Sequence, residues 1–183
     1  VGVNHMEGHI FSVLMNKKNP PKLAFPSLSL LISGGHTELV YMKSHLEFEI
    51  IGRTLDDSIG EAFDKVARML GLPYPGGPQV AKLAHEAREK NVKALFPFPR
   101  PMLHTNDCDF SFSGLKTAVL YTLKKIETIT EETKTDIARE FENAVVEILL
   151  KKTKRALTLH NAQTLIIGGG VSANTEIRNA FTE

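Results

Sequence analysis

Residues 27–52 read SLSLLISGGHTELVYMKSHLEFEIIG, and their hydropathy pattern decides the fold class. Ser27 to Ser33 is short and apolar, bounded by Pro26 and Gly34, as in a buried strand. Thr37 to Met42 and Leu46 to Gly52 follow after short connections. Leu46, Phe48 and Ile50 alternate with Glu47 and Glu49, the period-two pattern of a half-buried strand. Strands joined this closely form an antiparallel meander.

Downstream the period changes. A helix is predicted from about Asp57 to Leu70, with Asp56 or Asp57 as its cap and Gly71 as its stop. Ile59, Phe63, Val66, Ala67 and Leu70 fall on one face. PYPGGP at 73–78 reads as a rigid turn, with helix returning near Val80 to Asn91. A polar connector with prolines, Phe96 to Asp109, precedes helices at Gly114–Ile126 and Thr133–Leu159. Thr164 to Ile167 is a short strand running into Gly168-Gly169-Gly170, and another helix starts at Asn174. Upstream, residues 5–15 suit a short helix and Asn16 to Pro26 a loop. The class is therefore α/β, in the order β-β-β-α, a helical insertion at about 73–130, then α-β-α. That order is the ribonuclease-H-like half of an actin-like ATPase fold, short of its last strand. Residues 1–26 read as the end of an N-terminal lobe with its linker, and 27–183 as a second lobe. Val1 is not an initiator and the last helix has barely begun, so the chain is expected to be cut short at both ends.

Composition bounds the function. The 183 residues are 42% hydrophobic and 23% charged, enough for one real core. A net charge of +1 supplies no global basic field, so any RNA contact needs a local patch or partners. Cys108 is the only cysteine, which excludes an intrachain disulfide and suits a reducing cytoplasm. No apolar run approaches the roughly 18 residues of a membrane span.

Several motifs carry chemistry, each with a plainer reading beside it. His5 and His9 are four apart, so on a helix both imidazoles share a face and can share a metal; alternatively they are surface or packed histidines. Imidazole suits iron(II) or zinc. Glu7 is displaced by one position from the metallopeptidase pattern, which weakens that reading. Ser33-Gly34-Gly35-His36-Thr37 forms either an anion nest with hydroxyl donors or a Gly-Gly hairpin turn. Gly168-Gly169-Gly170-Val171-Ser172-Ala173-Asn174 joins a strand to a helix, so a nucleotide can lie against its backbone. Asn174 serves there as a base or ribose ligand, or as an N-cap. Asp64 lies beyond the first turn, where the macrodipole benefit has faded, and can accept from a ribose hydroxyl. Gly77 either completes a turn or lets a ligand sit on the backbone. Phe110 and Phe112 are core anchors or base-stacking rings, Ser113 is a candidate N-cap, and Lys116 is a candidate phosphate contact. Lys151 to Arg155 reads as a solvated helix face.

Taken in order, HMEGH, SGGHTEL, DDxxGEAFDKVA, YPGGP, FSFSGLKTA and GGGVSAN resemble the TsaD family of tRNA N6-adenosine threonylcarbamoyltransferases over essentially the whole chain. The resemblance implies a two-lobed actin-like fold. It implies transfer of a threonylcarbamoyl group from threonylcarbamoyl-adenylate to the N6 amine of the adenosine 3′ of the anticodon, in tRNAs reading ANN codons. By motif match, His5 and His9 are two ligands of one divalent metal, iron(II) with zinc as second choice. Leu31, Ile32, Ser33, Gly34 and Gly35 are the phosphate-side loop, and Asp64, Gly77 and Asn174 hold the adenylate (or ATP as nucleotide ligand). No side-chain general base is singled out. The family's third metal ligand, an aspartate in a later Thr-Asp-Asn-type motif, has no counterpart here. Ala81 stands where some members carry an aspartate that contacts substrate. His36 resembles bacterial and organellar members, which implies TsaB and TsaE as partners, in the cytoplasm and away from membranes. The chain alone is expected to lack activity and to bind metal poorly. The rival readings are a small-molecule kinase of the same superfold, a metallopeptidase, and a non-catalytic scaffold of the same fold.

Overall fold

The computed structural model describes residues 8, 10–12, 15 and 22–182. His5 and His9 lie outside the described residues, as does most of the helix expected over residues 5–15. Strands β1 (Ser27–Ile32), β2 (Thr37–Ser44) and β3 (Glu47–Arg53) lead into helices α1 (Ile59–Met69), α2 (Gly76–Glu89), α3 (Ser113–Lys124) and α4 (Glu131–His160). Strand β4 (Thr164–Gly168), a 3-10 turn (Gly170–Ala173) and a short α5 (Thr175–Ala180) follow. The sheet order is β3-β2-β1-β4, with β1 antiparallel to β2 and parallel to β4. A parallel neighbour needs a crossover, and the helices between β3 and β4 supply it.

Strand β1 is buried along its whole length because it is central and covered on both faces. Leu28, Leu30 and Ile32 face the main core with Phe63, Val66, Phe141, Val145 and Leu149. Leu31 faces the other way, into a smaller cluster with Ile10, Val40, Met42 and Ile166. Phe63 and Phe141 meet edge to face at 5.1 Å, joining α1 to α4 under the sheet. Such a pair adds about 0.5–1.5 kcal/mol beyond its area burial. Strand β3 is the outer edge, so its apolar residues gain less cover than the alternation implies: Ile50 is exposed, and Leu46 falls in the exposed turn before the strand.

Several sequence expectations shift. Helix α1 is capped by Ser58, whose Oγ accepts from Glu61 N–H, and not by Asp56 or Asp57. Helix α2 starts at Gly76 rather than near Val80: Pro78 sits in the first turn, where a missing N–H costs nothing. Phe110 and Phe112 are fully buried in the core, so neither ring is available to stack on a base. Lys116 pairs with Asp57 at 2.9 Å rather than standing free for a phosphate. Phe112, not Ser113, is the N-cap residue of α3, and it makes no side-chain cap bond. Asp56 does that work from afar, accepting from Phe112 N–H (2.8 Å), Ser113 N–H (3.1 Å) and Ser111 Oγ (2.6 Å).

The basic run on α4 is only partly solvated. Lys152 is buried and donates to Thr105 Oγ1 and to the Asp107 carbonyl and carboxylate. Arg155 donates to the Asn106 carbonyl. Nearer the start of α4, Asp136 accepts from Leu95 N–H and Arg139 donates to the Val92 carbonyl. The long connector between α2 and α3 is thus tied to α4 along its length. No helix among the described residues is long and apolar enough to cross a membrane.

Candidate nucleotide cavity

A cavity of about 490 Å³ opens where four chain segments converge. It is lined by Gly34 after β1, by Gly60, Phe63 and Asp64 of α1, by Pro75, Gly77, Pro78 and Ala81 around the start of α2, and by Gly170, Val171, Ala173, Asn174 and Thr175 after β4. Phe63, Pro78, Ala81, Val171 and Ala173 make the walls largely apolar, and Asp64 is the one charged lining residue among those described. This is a size and chemistry suited to a nucleoside, with flat apolar surfaces for a base and a few polar groups to orient it.

The backbone is packed tightly to form it. A Cβ on Gly60 would stand 2.7 Å from both Gly34 Cα and Ser33 O, so only glycine lets α1 meet the loop after β1 this closely. Gly60 N–H donates to Ser33 O, and Ser58 Oγ donates to Gly34 O at 2.6 Å. Gly169 has φ +91, and a Cβ there would fall 2.3 Å from Ile32 O. The triple glycine thus contains one residue needed for the fold, beside Gly170, which faces the cavity with open space.

The eight residues expected to hold a nucleotide divide evenly. Gly34, Asp64, Gly77 and Asn174 line the cavity; Leu31, Ile32, Ser33 and Gly35 do not. Leu31 and Ile32 are buried on opposite faces of β1. Ser33 Oγ accepts from Gly35 and His36 N–H groups, and Ser33 N–H donates to His36 O, so those N–H groups close a hairpin turn instead of forming an open nest. Thr37 Oγ1 likewise accepts from Ile59 N–H. Both hydroxyls expected as ligand donors have their oxygens engaged by the backbone.

Asp64 Oδ1 accepts from Gly76 N–H at 2.8 Å, which anchors the start of α2 on α1. Helix α2 then presents its N-terminal turn to the cavity through Gly77 and Pro78, and the positive end of its dipole favours an anionic group there. Asn174 takes its N-cap role, with Oδ1 accepting from Ile177 N–H of α5 at 2.9 Å, and the residue also lines the cavity. Beneath it lies Glu142, which the sequence motifs do not include. It is buried, and its carboxylate bonds to Asn174 and Arg88. Burial pushes the Glu142 carboxyl above its ordinary range, against the bonds from Asn174 and Arg88. The only signal in the sequence was an acid at a position on α4 flanked by core residues. Beside the cavity, Asp57 bridges Lys65 and Lys116. Burial opposes ionisation there, but the two lysine hydrogen bonds outweigh it and hold the carboxyl below its ordinary value. Among the described residues no group of three or more His, Cys, Asp or Glu could hold a metal.

Comparison with known proteins agrees along the whole chain. A family model described as "TsaD: tRNA N6-adenosine threonylcarbamoyltransferase" matches residues 1–183. A protein of that name from Thermosipho africanus is 50% identical over 178 residues, covering 97% of this chain and 52% of the relative. Relatives of the same name from Staphylococcus epidermidis (47% identical, 100% of this chain, 52% of the relative) and Neisseria gonorrhoeae (44%, 99% and 51%) match similarly. The chain spans about half the length of the curated relatives it matches.

Proposed function

The chain belongs to the TsaD family of tRNA N6-adenosine threonylcarbamoyltransferases, and from that premise we propose that the protein carrying it transfers threonylcarbamoyl from its adenylate to the N6 amine of the adenosine 3′ of the anticodon in tRNAs reading ANN codons. The observation that supports this most is the convergence of Gly34, Asp64, Gly77 and Asn174 on one nucleoside-sized cavity from segments far apart in sequence. A kinase of the same superfold would use a similar cavity, but it has no need of the His5 and His9 pair.

The chain's own residues suggest the division of labour. The apolar walls hold the adenine and exclude water. Asp64 accepts from a ribose hydroxyl, and Asn174 donates to the nucleoside. The α2 N-terminus and the Gly34 backbone face the phosphate, where AMP departs as leaving group. His5 and His9 offer imidazole nitrogens, a donor type that suits iron(II) or zinc, and would hold two positions on a divalent metal. Such a metal would supply Lewis-acid polarisation of the carbamoyl carbonyl. The proposal extends to TsaB and TsaE as partners and to the cytoplasm as site of action.

The test uses the full-length protein with TsaB- and TsaE-type partners, threonylcarbamoyl-adenylate, and a tRNA with adenosine after its anticodon. Labelled threonine entering the tRNA is the readout. His5→Ala and Asn174→Ala should each lower it about tenfold or more. Incorporation that neither substitution changes would overturn the site assignment, and none at all from the unaltered protein would overturn the function.

A further inference from the structure

Glu142 lies midway along α4, 1% exposed, and its two carboxylate oxygens serve two different walls of the cavity. Oε1 accepts from Asn174 Nδ2 at 2.6 Å, where the chain enters α5. Oε2 accepts from Arg88 at 2.6 Å, in the last turn of α2, the helix whose first turn carries Gly77 and Pro78. Arg88 is itself braced by Asn143 Oδ1 at 2.7 Å and lies 3.7 Å from Glu176 of α5. Core packing alone does not call for this: a leucine would fill the volume without the cost of burying a charge.

The consequence falls on Asn174. Its Oδ1 is engaged by Ile177 N–H and one Nδ2 hydrogen by Glu142. An asparagine amide carries a second Nδ2 hydrogen. With the amide plane pinned at both ends, that hydrogen has a fixed direction. A flip of the amide is opposed, because it would set Oδ1 against a carboxylate oxygen.

We propose that Glu142 is a positioning residue for the nucleotide site: it orients the Asn174 amide so that its remaining N–H donates to an acceptor on the bound nucleoside. The other carboxylate oxygen, bonded to Arg88, holds the Glu142 side chain in place. This inference rests on reading the cavity as an adenylate site. It makes Glu142 act through Asn174, without touching the ligand itself.

AMP is the probe, and its affinity for the full-length protein is measured by calorimetry. Asn174→Ala and Glu142→Leu should each weaken binding about tenfold, as expected for one lost hydrogen bond. Glu142→Gln keeps the volume but only one acceptor, with its NH2 set against either Arg88 or Asn174, so its affinity should fall between those of the parent and of Glu142→Leu. The double variant Glu142→Leu with Asn174→Ala should bind no more than about twofold worse than Asn174→Ala alone, since both changes remove one and the same contact. Losses that multiply, or a Glu142→Leu protein that binds normally, overturn the positioning role while leaving the cavity reading intact. An unaltered full-length protein that does not bind AMP overturns the cavity reading, and this inference with it. Should Glu142→Leu fail to fold, the Asn174 side-chain amide in the unaltered protein decides by NMR. A resolved, exchange-protected Nδ2 proton supports the proposal, and a freely exchanging pair overturns it.

Discussion

Two glycines on the cavity wall look alike in sequence and differ in what they do. A methyl placed on Gly77 would meet nothing nearer than Phe63 Cβ at 3.9 Å, so an alanine there fits the fold and intrudes only on the cavity. Gly77→Ala should therefore leave stability unchanged or raise it by up to about 1 kcal/mol, since alanine suits a helix better than glycine. AMP affinity should fall at least about tenfold on calorimetric titration, a steric loss of about 1.4 kcal/mol; unchanged affinity would remove Gly77 from the site. Gly60→Ala is the opposite case. Its methyl would press on backbone atoms of Ser33 and Gly34 at 2.7 Å, and neither can rotate away. Overpacking of this kind costs about 1–3 kcal/mol, to be read from urea unfolding. A Gly60→Ala protein as stable as the parent would contradict the close approach of α1 to the loop.

At the scale of elements, the DDxxGEAFDK stretch turns out to be a junction. Asp56 holds the start of α3, Asp57 gathers Lys65 and Lys116, Ser58 caps α1, and Asp64 holds the start of α2. Its acids were legible as a helix start, but three of them serve other helices or distant lysines. One outcome is a pH dependence with a definite sign. The folded Asp57 carboxyl titrates below its ordinary value of 3.8, because the lysine bonds outweigh the opposing burial. The unfolded chain therefore takes up that proton first as pH falls. The stabilisation is complete above about pH 5 and is lost as pH drops through the folded pKa. Asp107, lowered by its bond to Lys152 against its own burial, acts in the same direction. Asp57→Asn should therefore lose less stability between about pH 5 and pH 2 than the parent, measured by urea midpoints; parallel curves would show that Asp57 is not the titrating group.

Among the described residues, the main core joins the sheet to helices from α1 to α5. The actin-like, ribonuclease-H-like fold of the family appears here as its mixed sheet with helices crossing between β3 and β4. Phe141 on α4 is fully buried and meets Phe63, on the helix that also lines the cavity. Phe141→Ala should cost about 3–5 kcal/mol in a single unfolding transition, a large part of a typical domain's stability. A loss below about 1 kcal/mol would place the centre of the core elsewhere.

What the sequence determined by itself was local and periodic. A period of two at 46–50, a period near 3.6 along α1 and α4, and glycine pairs between them fixed the element order; the joint order of the motifs carried the family. Boundaries slipped where one residue's neighbours decide the matter, as at Pro78, which a first turn accommodates. Gly34, Asp64, Gly77 and Asn174, singled out by their match to the family's motifs, line the cavity. Leu31, Ile32, Ser33 and Gly35 do not, because a motif names a contiguous run, while a cavity samples only the atoms that face it. Only the tertiary structure decided the long-range bonds. Asp56 caps a helix 56 residues away, Glu142 reaches Arg88 across 54 residues and Asn174 across 32, and Lys152 is buried because a distant loop closes over it. The physical reason is that a hydrogen bond depends on distance in space, which periodicity along the chain does not encode.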